Sequence, residues 1–308
     1  MGKNRPDGFL IVDKPAGISS AGVVAAVKRM THVRKAGHAG TLDPFATGVL
    51  VCCLNRAARL SRFFLDGSKR YDAEILLGTE TDTQDLTGRV TAEMPWDGVT
   101  EAQIRACAAR FEGWGEQLPP VYSALKHRGK PLYRLAREGA AVQKPPRRIR
   151  IHAIRIVQID LPRIRMQVHC SAGTYIRTLA ADMASALGTC GHLSALRRTA
   201  SSHFHLSMAV ALDDLPRLVR EGALRRHVIP MAEALPDFPS VPADAPLAEK
   251  IRHGRPVYEN DLAIAGIDTG RRSHPYIKVV DRSSGDLLAV LETPARGKPY
   301  GYCCVFAG

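Results

Sequence analysis

Apolar residues along the chain fall into short strand-like runs separated by a few helical stretches. Residues 9–12 are uniformly apolar and stop at Lys14-Pro15, which predicts a short buried strand. Gly17 and Ser19-Ser20 then supply a turn and a helix cap. A helix follows over 21–30, with Val23, Val24 and Val27 on its apolar side and Lys28-Arg29 in its last turn, where cations suit the dipole. Residues 32–47, rich in Gly, His, Thr and Pro, read as a loop, and 49–54 as a strand. Tyr71, Ala73, Ile75 and Leu77 alternate with Arg70, Asp72 and Glu74, the signature of a half-buried strand. Residues 79–88 read as a polar loop.

Thr100 caps a helix carrying Ile104, Cys107, Ala108 and Phe111, which Gly113 and Gly115 stop. The alternation of Ile149 and Ile151 slips by one residue before Ile154 and Ile156, which predicts a β-bulge. Ile164, Met166, Val168 and Cys170 form a further strand. Residues 175–187 form a helix with Leu179, Ala180, Met183, Ala184 and Leu187 on one face and Gly188 as its stop. Pro230, Pro236, Pro239, Pro242 and Pro246 suit a linker. Beyond it, 277–280 and 287–291 flank the turn Arg282-Ser283-Ser284-Gly285 and predict a small β domain.

Composition narrows the class. The chain has 308 residues, of which 45% are hydrophobic and 24% charged, the balance of a folded protein with one large domain or two ordinary ones. Apolar runs such as 48–54 fall short of the roughly 18 residues that cross a bilayer. The apolar run after the polar N-terminus is too short for a signal peptide. Seven cysteines, with no CxxC and no zinc-finger spacing from a histidine, read as idle thiols in a reducing compartment. A cytoplasmic protein is the expectation.

Charge points to a partner. Lys and Arg total 43 against 30 Asp and Glu, a net +13, which suits a polyanion. Residues 119–150 hold nine Lys and Arg, among them Lys126, Arg128, Lys130, Arg147 and Arg148, against the single acid Glu138. Tyr122 and Tyr133 are interleaved with them. Such a segment can neutralise phosphates and stack on bases, so RNA or DNA contact is expected there.

The chain contains no phosphate-cradling GxxxxGK[ST], no HExxH, no GxSxG, no EF-hand loop and no metal-ligand cluster. Catalysis would rest on ordinary side chains. The densest candidate is GHAGTLDPFATG at 37–48, where the single acid Asp43 sits among glycines that permit tight turns and close ligand approach. On its own, an Asp-Pro pair in a loop is also the ordinary composition of a turn.

A resemblance weights that choice. GFLIVDKPAGISS at 8–20, the 37–48 loop, SKRY at 68–71, TDT at 81–83, VYSALK at 121–126, CSAGTYIR at 170–177, GHL at 191–193 and LRR at 196–198 occur in order. Together they resemble the TruB family of tRNA pseudouridine synthases, in its stand-alone bacterial form. The resemblance implies isomerisation of the T-loop uridine at position 55 to pseudouridine on a flipped-out base, without metal or cofactor. By it Asp43 is the catalytic carboxylate, and Tyr71 stacks on the target base. Arg177 pairs with the carboxylate, which favours the charged form. Tyr175 and Leu196 wall the pocket, and Lys14 supports the site or its loop. His38 fills the gap left by the extruded base. The stretch 119–150 becomes a thumb closing on the T arm. Ala195 is smaller than the family pattern.

The implied architecture is an α+β fold with a mixed, largely antiparallel sheet flanked by helices. A catalytic domain over 1–235 contains the basic insertion, residues 236–246 link, and 247–308 form a PUA-like RNA-binding domain. Neither membrane nor obligatory protein partner is expected, and a monomer suffices. The alternative is a non-catalytic RNA-binding or RNA-folding protein using the same surface.

Overall fold

The computed structural model describes residues 6–263, 274–295 and 297–307. Its frame is an eleven-stranded mixed sheet. In chain order its main strands are β1 (Gly8–Lys14), β2 (Thr47–Leu54), β3 (Lys69–Leu77), β4 (Gly113–Gln117), β5 (Arg147–Asp160), β6 (Arg163–Cys170), β7 (Gly191–Ser201) and β8 (Val210–Ala211). They lie side by side as β8-β1-β2-β7-β3-β6-β5-β4. Only the β8–β1 and β2–β7 neighbours along this path are parallel. The β2–β7 junction registers just two residue pairs, Arg197 with Thr47 and Arg198 with Gly48. The sheet is therefore two antiparallel halves joined through a short parallel seam.

Local sequence explains the elements. Burial alternates along β3 as the pattern predicts. In β5 the register against β6 shifts between Ile151 and Ala153, at the predicted slip. Helix α1 (Ser20–Thr31) starts at Ser19, whose hydroxyl accepts from the Gly22 amide. Helix α2 (Glu101–Arg110) opens with a reciprocal capping box between Thr100 and Gln103, which satisfies two otherwise orphaned amides. Helix α3 (Ile176–Ala186) packs Leu179, Ala180, Met183 and Ala184 with α2 onto the inner face of β3, β6 and β5. The opposite half of the sheet packs against α1 through Leu10, Val12, Val23 and Val27.

Several regions differ from the sequence reading. Residues 36–38, expected in a loop, add a short strand to β2. Gly113 and Gly115 do not simply end α2; they begin the edge strand β4. Within 119–150, Arg147 to Arg150 belong to β5, because their alternation continues the central sheet. The inserted part is a hairpin, Lys126–His127 with Lys130–Pro131, followed by a helix at Leu132–Arg137. The expected linker also carries structure: β9 (Ser240–Ala243) pairs in parallel with β10 (Tyr276–Asp281). Proline tolerates this edge position, where its missing amide is not needed. β11 (Leu287–Glu292) and β12 (Gly301–Val305) complete a four-stranded sheet. Helices at Ala245–Arg252 and Glu259–Ala263 make this unit mixed rather than purely β.

The C-terminal sheet shares a core with the large one. Leu287, Val290, Cys304 and Phe306 pack with Phe9, Phe64 and Phe204. Arg56 and Arg59 reach across to donate to the Phe306 and Val305 carbonyls, each at 2.6 Å. Among the described residues, no helix is long and apolar enough to cross a membrane.

Candidate active site

Asp43 sits beside the parallel seam, on the loop that leads into β2. Burial alone cannot fix a loop, so its backbone must be held by hydrogen bonds. The Lys14 ammonium, 0% exposed at the end of β1, donates to the carbonyls of Pro15 (2.8 Å), Pro44 (3.0 Å) and Ala46 (2.6 Å). The Ser20 hydroxyl donates to the Leu42 carbonyl and accepts from the Leu42 amide. The Gly17 amide donates to the Pro44 carbonyl. From β7, the buried Arg198 guanidinium donates to the carbonyls of Gly40, Thr41 and Val49. Gly48 has a φ of +101°, and a Cβ there would collide with the Arg198 backbone, so only glycine lets the loop enter β2 at the seam.

The carboxylate so placed is 32% exposed and meets a guanidinium that is only 3% exposed. Arg177, in the first turn of α3, donates from Nε to Asp43 at 2.9 Å and from Nη2 at 3.3 Å. Its other N–H groups reach the Thr83 carbonyl (2.7 Å) and the Tyr122 carbonyl (2.8 Å). Asp85, 6% exposed, lies 3.7 Å from Arg177 Nε. The arginine is thus a fixed cation with every direction of its fork used. It holds Asp43 by a two-pronged ion pair and aims that carboxylate at the open side.

That open side is a cavity of about 380 Å3. Tyr71, Tyr175, Leu196, Lys69, Arg147 and Arg198 line it together with Asp43. Burial pushes the Tyr71 phenol up, with Arg198 opposing, so the ring keeps its proton at neutral pH. Tyr175 is clamped by Gln117, which exchanges hydrogen bonds with its amide (2.7 Å) and carbonyl (3.0 Å). The Arg147 guanidinium lies 4.4 Å from the Tyr175 ring centre, a cation–π contact at the cavity wall. Burial lowers both Lys14 and Lys69 to about 8. The cleft is therefore cationic and flat-walled, with one carboxylate facing out.

The structure brings Asp43, Tyr71, Arg177, Tyr175 and Leu196 together. Lys14 touches the loop rather than the cavity. His38 stands on the strand entering the loop, outside the cavity lining; burial holds its ring below its usual range and therefore neutral at pH 7. Lys126, Arg128 and Lys130 project from the exposed hairpin that rises from Ser123, Ala124 and Leu125 at the cavity rim. Arg147 faces the cavity, but Arg148, one residue on, takes the other side of the strand. Sequence reasoning passed over Asp85, Lys69, Gln117 and Arg198. Lys69 and Arg198 lie inside SKRY and LRR, so a signal was present; Asp85 stood in a stretch read only as polar loop.

A carboxylate fixed by a buried arginine thus stands beside aromatic rings in a basic cleft on a mixed sheet. Residues 28–176 match the TruB family pseudouridylate synthase (N terminal domain), and 177–236 match the tRNA pseudouridylate synthase B C-terminal domain. The chain belongs to the TruB family. It is 50% identical over 211 residues to the tRNA pseudouridine synthase B of Bordetella avium (strain 197N), covering 68% of this chain and 86% of that one. The protein of the same name from Methylobacillus flagellatus is 42% identical over 266 residues, 86% and 87% of the two chains. A chain in the crystal structure of a Cbf5-Nop10-Gar1 complex superposes with a TM-score of 0.70 at 26% identity, covering 97% of this chain and 84% of its own.

Proposed function

We propose that this chain isomerises uridine to pseudouridine at position 55 in the T loop of tRNA, with Asp43 as the catalytic carboxylate. In that reaction the N1–C1′ bond breaks, the base turns, and C5 bonds to C1′. The proton leaves C5 and N1 gains one, so the change is redox-neutral. The observation that carries the reading is the pairing of half-open Asp43 with buried Arg177 at the mouth of the cavity. A binding surface has no use for a carboxylate facing phosphates, which it would repel; that weighs against a non-catalytic RNA-binding or RNA-folding protein.

The other residues take roles by their positions. Tyr71 and Tyr175 offer rings on which the extruded uracil stacks, and Leu196 closes the wall. A T-loop base costs less to extrude than one in a continuous duplex. His38, neutral and near the loop entry, suits a ring that fills the vacated stack rather than an acid. Lys126, Arg128, Lys130 and Arg147 would neutralise phosphates around the opening.

Residues 1–235 would act as the catalytic unit and the C-terminal sheet as a PUA-like RNA contact. The protein would work as a cytoplasmic monomer without metal or coenzyme. The test is a tRNA transcript tritiated at uridine C5. Incubation with the protein and no additive should release tritium to water in step with pseudouridine formation. Retention of the label by an RNA that binds would refute the assignment.

A further inference from the structure

Strand parity splits the basic segment in two. Arg147, Ile149 and Ile151 face the cavity and core, whereas Arg148 and Arg150 stand on the opposite, exposed face of β5. There they flank Trp114 of the edge strand β4, the most exposed large apolar side chain among the described residues at 60%. Arg150 is its register partner. The two guanidinium carbons lie 4.2 Å (Arg148) and 5.4 Å (Arg150) from the indole centre. Leaving an indole bare is costly, and two cations packed on it hold the ring in place while keeping it wet.

The same face continues across the sheet with Arg70, Arg148, Arg150, Arg155, Arg163 and Arg165 outnumbering its carboxylates Asp72, Glu74, Glu116 and Asp160. The bulge in β5 sets His152 over His169 of β6, ring centres 4.5 Å apart, and His169 is the register partner of Arg70 on β3. Farther along, Arg163 and Arg165 are both paired with Glu74. By contrast, Arg70, Arg148, Arg150 and Arg155 have no carboxylate within ion-pair distance among the described residues. Glu116 is the register partner of Arg148, yet the guanidinium turns to the indole instead. Unpaired arginines beside an exposed ring match a phosphate chain with bases to stack, not an acidic protein face, which would offer nothing to the indole.

We infer that the outer face of β4, β5, β6 and β3 is a second RNA contact, where a strand of the same tRNA outside the cleft stacks a base on Trp114 and lays phosphates along Arg148, Arg150 and Arg70. The strand would pass from the cavity rim at Arg147 over the sheet edge. This second contact rests on the tRNA reading of the cleft and extends the footprint to a face remote from Asp43.

Only Trp96 and Trp114 are tryptophans in the chain. A Trp96→Phe protein therefore reports Trp114 alone. Titration with an unmodified tRNA transcript should quench its emission, while a T-arm hairpin confined to the cleft should not. Trp114→Ala should weaken binding of the full transcript about tenfold, and Trp114→Phe should largely restore it. Arg148→Gln with Arg150→Gln should lower the slope of log affinity against log salt by roughly 0.7–0.9 for each phosphate that no longer meets a cation. An unquenched indole, together with unchanged affinity and slope, overturns the inference. Tritium release by the wild type in parallel keeps the two readings apart: its absence indicts the reaction, not this surface.

Discussion

Lys14→Met tests how the catalytic loop is held. Methionine nearly matches the lysine stem in length, so the space for the side chain stays filled, but three hydrogen bonds disappear at once. The Ala46 carbonyl is buried and loses its side-chain donor, whereas the Pro44 carbonyl keeps the Gly17 amide at 2.8 Å. An orphaned buried acceptor costs about 1–3 kcal/mol, and a bond from a charged donor contributes about 1.5–3 kcal/mol. Removing the desolvated ammonium returns part of this. The balance is a loss of roughly 3 kcal/mol. At about 2.1 cal/mol/K of unfolding entropy per residue, a chain of 308 residues turns that into a fall in Tm of about 5 °C. The larger effect should fall on turnover, because a shift of about 1 Å in Asp43 costs about a hundredfold. Filter binding should show tRNA affinity within about fivefold of wild type, since the cleft cations remain. Single-turnover tritium release should fall by about two orders of magnitude. Wild-type turnover with an unchanged melt would refute the claim that this ammonium organises the loop.

Three further outcomes follow from the same geometry. Arg177→Gln leaves Asp43 and the buried Asp85 facing each other without their cation, so calorimetry should show a loss of about 3–5 kcal/mol, with turnover lost even at saturating tRNA; a stable, active variant would contradict the pairing. Lys69, lowered by burial to about 8 from 10.5, is penalised while charged in the fold. Between those values the unfolded chain binds more protons than the native one, so the wild type should gain stability relative to Lys69→Met as pH rises from about 8 to about 10; a gap that closes or reverses would oppose this. Cys52 and Cys53 are fully buried, and burial pushes Cys53 up to about 12. An aromatic disulfide reagent should label half-exposed Cys303 first and reach all seven free thiols only after denaturation; prompt modification of Cys52 or Cys53 would contradict the packing.

What the chain disclosed in advance depended on whether the signal was local. The alternation at 70–77, the slip after Ile151 and the Thr100 cap are set by near neighbours, and all three stand in the structure. Asp43, Tyr71 and Arg177 were legible through ordered motifs. Asp85 was not, because its meaning comes from a tertiary pairing: its backbone bridges Leu193 of β7, and its carboxylate is thereby buried beside Arg177. The motif placed Lys14 in support of the site or its loop, but only the carbonyls folded around it make it internal. The division of Arg147 from Arg148 follows from strand parity, which a reading of 119–150 as one basic insertion could not supply. The strand at 240–243 was hidden by proline, which edge pairing tolerates.

The most direct test of the central claim is Asp43→Asn. The amide keeps the shape of the side chain but removes the charge that Arg177 holds, so tRNA should bind within about tenfold of wild type. C5 tritium should then stay in the RNA through a long incubation with excess enzyme. Release of label by this variant at more than a trace of the wild-type rate would contradict a mechanism built on the Asp43 carboxylate.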